Sequence, residues 1–154
     1  MSLPQLQLKS QADRRLRKGH LWIYSNEVDV AATPLKSFSM GQQVEVTSAG
    51  GKSLGLALIN PNNLICARLV SRDARFPLDK SLFVQRFKQA LSLRESFFDA
   101  PYYRLVYGDS DLLPGLVIDR FGDVLVVQIA SAGMEALRAD MVEALIDVIK
   151  PSGI

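Results

Sequence analysis

Between Arg14 and Lys18 the chain sets four cations, Arg14, Arg15, Arg17 and Lys18, in five positions. Gly19 follows, then His20, the chain's sole tryptophan at Trp22, and Tyr24. Arginine and lysine on and beside a helix end supply phosphate contacts and a long-range field for a polyanion. Aromatic rings in the same stretch could stack on unpaired bases. A solvated helix end would explain the charges alone; a polyanion surface would explain the charges and the rings. Alternate residues of a strand face a core, however, and on that ground Trp22 and Tyr24 are read as core rather than platform. The cations resist that explanation. Arg14, Arg15, Arg17 and Lys18 are therefore the candidate polyanion contacts, and Lys36 and Lys52 extend the patch. His20, directly after a glycine, either joins the contacts or fixes the turn; the sequence leaves both open.

Three other constellations suggest chemistry less strongly. Cys66 lies in the apolar run Leu64–Val70, where a lone thiol is more often a small core residue than a nucleophile. Gly51-Lys52-Ser53 resembles the end of a phosphate-binding loop, but Val46 stands where the first glycine is required, and a strand rather than a helix should follow. The reading is a β-turn. Asp109, Asp111 and Asp119 could hold a hard cation, yet they lack the ligand spacing of a calcium loop and flank a Pro114-Gly115 turn signal. With one histidine and one cysteine in the chain, no local zinc cluster can be assembled. No metal and no catalytic residue is assigned.

The 154 residues make one large domain or two small ones, and a hydrophobic share of 48% with 22% charged is that of a globular protein. No apolar run approaches the roughly 18 residues of a membrane span. Met1 to Ser10 has no apolar core of a secretory signal. Lacking that signal and any disulfide pair, the chain is expected in the cytoplasm. The net charge of +2 conceals an asymmetry: residues 1–78 hold ten Lys and Arg against five Asp and Glu, residues 79–154 eight against eleven. The basic half is the one expected to meet an anion.

The elements that must position these groups follow from periodicity. Residues 5–8 alternate as a strand; residues 11–18 read as a short helix stopped by Gly19, with cations in its last turn. His20–Tyr24 is extended, 33–39 a loop, and 43–47, 54–59 and 65–70 are strands separated by Gly- and Asn-rich turns, with Gly55 weakening the second. Short strands at this spacing predict a small barrel. Residues 72–77 mark a boundary. Asp79 then caps a helix over 80–97 with Val84, Phe87, Leu91 and the stem of Arg94 on its apolar stripe. A strand at 103–107 follows, then a hairpin of 116–118 and 124–129 closed by residues 119–123. Last comes a helix over 134–149 faced by Met134, Leu137, Met141, Leu145 and Val148. The fold class is α+β: a β-barrel over 3–75, then a helix–strand–hairpin–helix domain over 76–154.

Two stretches carry a family resemblance. Leu16-Arg17-Lys18-Gly19-His20-Leu21-Trp22-Ile23-Tyr24-Ser25-Asn26-Glu27-Val28 resembles the start of the PUA domain in the large-subunit (23S) ribosomal RNA cytosine-C5 methyltransferase I family. Gly108 to Phe121, with Asp109-Ser110-Asp111-Leu112-Leu113-Pro114-Gly115-Leu116, is similar to that family's Gly-Glu-x-Asp-x-Leu-Pro-Gly-Leu segment, with Asp109 in place of Glu. The resemblance implies an RNA-binding PUA barrel and a central α+β linker domain here. It implies a Rossmann-like domain binding S-adenosylmethionine in the parent protein, with the catalytic cysteines there. Cys66 matches none of them. The chain stops where the family's Gly-Ile-aromatic-Glu-Arg-Ser segment begins, so the expectation is an inactive N-terminal portion with no cofactor of its own and ribosomal RNA as partner. No membrane partner is expected, and a homodimer is left open. By the same resemblance Arg14, Arg15, Arg17, Lys18, His20, Lys36 and Lys52 become candidate RNA contacts. A free-standing PUA module, or the RNA-binding part of another RNA-modifying enzyme, are the competing readings.

Overall fold

A computed structural model describes residues 2–154; Met1, where the signal-peptide reading begins, lies outside them. The chain divides after Leu78 into two compact units.

In the first unit the strands β1 (Gln5–Gln7), β2 (Trp22–Tyr24), β3 (Gln43–Thr47), β4 (Ser53–Ile59) and β5 (Ile65–Ser71) form one five-stranded sheet in the order β1-β3-β4-β5-β2. Only the β1–β3 pair is parallel. The two outer strands meet just beyond their ends: Leu8 bridges Val28, Lys9 N–H donates to Glu27 O and Asp29 N–H to Gln7 O, both at 2.9 Å. That junction curls the sheet toward a barrel and satisfies edge groups that would otherwise stay open. Inside lie Leu6, Leu8, Leu16, Ile23, Val28, Val44, Val46, Ala57, Ile59, Cys66, Ala67 and Leu69, all buried.

Register shifts between Val46 and Thr47, and again between Leu56 and Ala57, bend the sheet as bulges do. Gly55 sits at that bend with φ +130°. The glycine that reads as a weak point of the strand is the residue that lets it bend.

The helix expected over 11–18 is one turn, α1 (Arg14–Arg17). Gln11 adopts φ +65°, and residues 10–13 are turns. The Gly19 stop is as read, at φ +104°.

The second unit opens with α2 (Lys80–Phe97), and the Asp79 carboxylate accepts the Ser81 N–H as its cap. Phe87 is buried as expected, but its buried companions are Phe83 and Ala90, each one position before Val84 and Leu91, which are only half-buried like Arg94. Strands β6 (Tyr102–Tyr107), β7 (Leu116–Phe121) and β8 (Val124–Ile129) form an antiparallel sheet. β7 continues to Phe121, and the hairpin turn is only Gly122-Asp123, with Gly122 at φ +68°, as a two-residue turn prefers. The final helix is broken into α3 (Ala132–Ala136) and α4 (Arg138–Ile149) at Leu137, whose φ −99° and ψ 12° leave the helical range. Met134, Leu137, Met141 and Leu145 are buried as expected, Val148 only in part. α2 packs on α4, with Lys80 reaching Asp147 at 2.8 Å and Glu143 at 3.4 Å.

Candidate nucleic-acid interface

The basic segment is a small structure fixed from three sides. Leu16 anchors α1 in the barrel core. Gly19 N–H donates to Leu16 O at 3.1 Å and His20 N–H to Arg15 O at 3.2 Å. That pair is the Schellman pattern, which needs a residue at positive φ where Gly19 stands. The third support is Arg72, which lies on a different segment: its guanidinium donates to Leu16 O at 2.7 Å and His20 O at 3.3 Å. A cation thus sits on the carbonyl end of α1, where the helix dipole favours it.

This frame turns the cations outward. Arg14, Arg15, Arg17, Lys18 and His20 are exposed, but they are not equivalent. Arg17 Nε donates to Asp13 Oδ2 at 2.5 Å, and that hydrogen bond holds the Asp13 carboxyl below the usual aspartate range. Arg15 lies 3.7 Å from Glu27 and over the Tyr24 ring, 5.1 Å from its centroid. Glu27 in turn accepts Tyr24 N–H at 2.8 Å. Arg14 and Lys18 have no ion-pair partner among the described residues. His20 supplies backbone groups to both the Schellman pair and the Arg72 fork, while its ring is free for a ligand.

The aromatic reading needs correction. Ile23 is the residue of β2 that enters the core, so Trp22 and Tyr24 face away from it. Trp22 is 38% exposed and Tyr24 half-buried under Arg15. Alternation was the right rule, but its phase on a three-residue strand was undetermined, because both sides are apolar.

Lys36 lies in the 3₁₀ turn Leu35–Ser37 and Lys52 in the β3–β4 turn. Each is exposed on its own loop. Two participants escaped the sequence reading: Arg72, and Arg68, the cross-strand partner of Trp22. Neither has a local signal; only strand pairing and folding bring them to the segment.

The remaining constellations are structural. Ser48 and Lys52 close a turn, with Gly51 N–H donating to Ser48 O at 2.9 Å, and β4 follows. Cys66 is buried, its thiol pushed up to about 11 chiefly by burial, and it donates to Ile23 O at 3.5 Å. Asp111 is gripped by a two-point fork from Arg94, at 2.8 and 2.7 Å, and also accepts Tyr107 N–H at 2.7 Å. Asp119 takes the Arg104 fork at 2.8 and 3.1 Å, and that hydrogen bonding lowers its pKa. Among the described residues no three His, Cys, Asp or Glu side chains converge as metal ligands, and no helix is long and apolar enough to cross a membrane.

Residues 6–72 match the family model of a PUA-like domain. The ribosomal RNA large subunit methyltransferase I of Vibrio cholerae is 37% identical over 147 residues, which span 93% of this chain and 36% of that protein. The protein of the same name from Escherichia coli is 35% identical over 143 residues, 91% of this chain and 35% of its own length. The chain thus spans little more than a third of these relatives. A crystal structure described as a candidate methyltransferase complexed with SAH superposes with a TM-score of 0.81 at 22% identity, covering 97% of this chain and 38% of that one. A second, described as a candidate SAM-dependent methyltransferase from Streptococcus mutans, gives 0.80 at 22% identity, over 97% and 39%. At this identity the two structures bear on the fold alone, over 97% of this chain.

Proposed function

Because the chain is homologous, over most of its length, to the N-terminal third or so of ribosomal RNA large subunit methyltransferase I and contains a PUA-like domain, we propose that it is the RNA-gripping part of a 23S rRNA cytosine-C5 methyltransferase. In this reading residues 3–75 hold ribosomal RNA, and residues 76–154 link that grip to a domain that binds S-adenosylmethionine, the methyl donor. Arg14, Arg15, Arg17, Lys18 and His20 make the principal contacts, with Lys36 and Lys52 as outlying ones.

The observation that carries the proposal is the outward display of cations on a turn braced by Leu16, Gly19 and Arg72. A merely solvated helix end would not require a long-range arginine to fix it. The chain contributes grip rather than methyl-transfer chemistry. Its sole thiol, Cys66, is sealed in the barrel core with a raised pKa, the reverse of what attack on a cytosine ring demands.

The test is a titration of fluorescently labelled 23S rRNA fragments at several salt concentrations. Binding should weaken with salt, and Arg14→Ala, Arg15→Ala and Lys18→Ala combined should flatten the log–log slope by about 2 units, at about 0.7–0.9 per phosphate contact. An unchanged slope in the folded triple variant places the RNA elsewhere. Methyl transfer to RNA by the 154-residue chain would overturn the division between grip and chemistry.

A further inference from the structure

We propose that Trp22 is a stacking platform for an unpaired RNA base, which makes single-stranded or looped RNA, rather than a regular duplex, the preferred ligand of this face. The inference rests on the RNA-binding reading above and adds the structural class of RNA to it.

Trp22 is the largest side chain type in the chain, and a tryptophan normally goes to a core or finds a partner for its ring and N–H. Here it does neither. Its strand neighbour Ile23 takes the core position, and Trp22 is left 38% exposed. Among the described residues no ring or cation stacks on it and its indole N–H donates to no group. Tyr24, on the same side of β2, differs: Arg15 already lies over its ring.

The surroundings select the occupant by charge. Arg68 stands opposite Trp22 across the β2–β5 pairing and has no ion-pair partner among the described residues. Lys18 and His20, both exposed, precede Trp22 by four and two positions. An apolar protein surface would find a part-exposed ring paired with Arg68, a cation without an ion-pair partner, unfavourable. A base carries a π-face for the ring and a phosphate for the cations. A duplex withholds its π-faces in the stack, whereas loops and single strands expose them.

Trp22 is also the only tryptophan, so its emission reports on this position alone. The experiment titrates the whole chain with a single-stranded oligoribonucleotide, and separately with the same strand annealed to its complement. The salt dependence of both is measured. Stacking should quench and shift the Trp22 emission with the single strand, and the single strand should bind more tightly. Trp22→Leu should weaken single-strand binding by about tenfold or more without changing the salt slope, because no phosphate contact is lost. Trp22→Phe, which keeps a ring, should restore most of the affinity. Salt-dependent binding that leaves the emission untouched, or equal affinity in folded Trp22→Leu, overturns the platform while leaving the RNA-binding reading intact. Absence of binding to either RNA overturns both.

Discussion

The guanidinium of Arg72 donates to the carbonyl oxygen of Leu16 at 2.7 Å, across 56 positions of sequence, and the second arm of the same fork reaches His20 O at 3.3 Å. One side chain at the end of the barrel's last strand therefore ties down both ends of the Gly19 turn. A planar fork reaches both carbonyls from separate nitrogens in a fixed geometry; a lysine at the same place offers three donors from a single nitrogen on a flexible stem.

Arg72→Ala should therefore cost about 1.5–3 kcal/mol in unfolding free energy, the range for a hydrogen bond to a charged group. Its signature should be local. Amide exchange at Gly19 and His20, whose N–H groups belong to the Schellman pair, should accelerate more than exchange in β3 and β4. Arg72→Lys should fall between the two. Uniform acceleration throughout the sheet would show that Arg72 supports the barrel as a whole rather than this turn.

The contrast between Asp79 and Arg72 shows what a sequence can and cannot reveal. Asp79 caps the helix that begins one residue later, through the Ser81 N–H at 2.9 Å. Such short-range chemistry is written in adjacent letters, and α2 begins and ends where it was read. Gly19, stopping α1, was legible for the same reason. The exposed side of the candidate site was only half legible. The cations announce themselves, but Trp22 was assigned to the core because a three-residue strand does not fix its own phase; Ile23 takes that place through packing with Ala67 and Leu69 in the same cluster. Arg68 and Arg72 could not be read at all, since strand register and a fork over 56 positions arise only in the folded chain. α1 came out shorter than read because helix propensity in residues 11–13 yields to a turn with Gln11 at positive φ.

Asp79 also gives a prediction in pH. The hydrogen bond from Ser81, with its N–H and hydroxyl both directed to Oδ1, holds the Asp79 carboxyl below its ordinary 3.8. A group whose pKa is lowered by folding stabilises the fold above its unfolded pKa and loses that contribution as the pH falls through the folded value. The stability of the wild type should thus be flat in this respect from neutral pH down to about pH 5, and fall below about pH 4. Asp79→Ala should cost about 0.5–2 kcal/mol near neutral pH and less in acid; Asp79→Asn should keep most of the cap and remove this part of the acid dependence. Urea midpoints measured from pH 2.5 to 7 for the three proteins test it. Parallel pH curves for wild type and Asp79→Asn would rule out the cap as the source.

The bend in β4 supplies the sharpest steric prediction. A Cβ added at Gly55 would lie 2.1 Å from the Ser71 carbonyl oxygen, 2.9 Å from the Arg72 Cα and 3.0 Å from the Ser71 carbonyl carbon. All three are backbone atoms, so none can swing aside as a flexible side chain would. The φ of +130° adds a conformation that residues with a Cβ seldom adopt. Relief would require β4 and β5 to separate where Leu56 pairs with Ser71, the position from which the chain leads into Arg72 and its hold on the Gly19 turn. Gly55→Ala should therefore cost more than about 3 kcal/mol, the range reserved for backbone strain and overpacking together. It should also weaken RNA binding in whatever fraction remains folded, because the Arg72 fork moves with the strand. Gly50→Ala is the matched control. Its Cβ would meet only Ser48 Oγ at 4.0 Å and its φ is not positive, so its effect should lie within about 0.5 kcal/mol. Urea denaturation of both variants decides the matter: a Gly55→Ala midpoint equal to that of Gly50→Ala would mean that β4 does not pass Ser71 as closely as described.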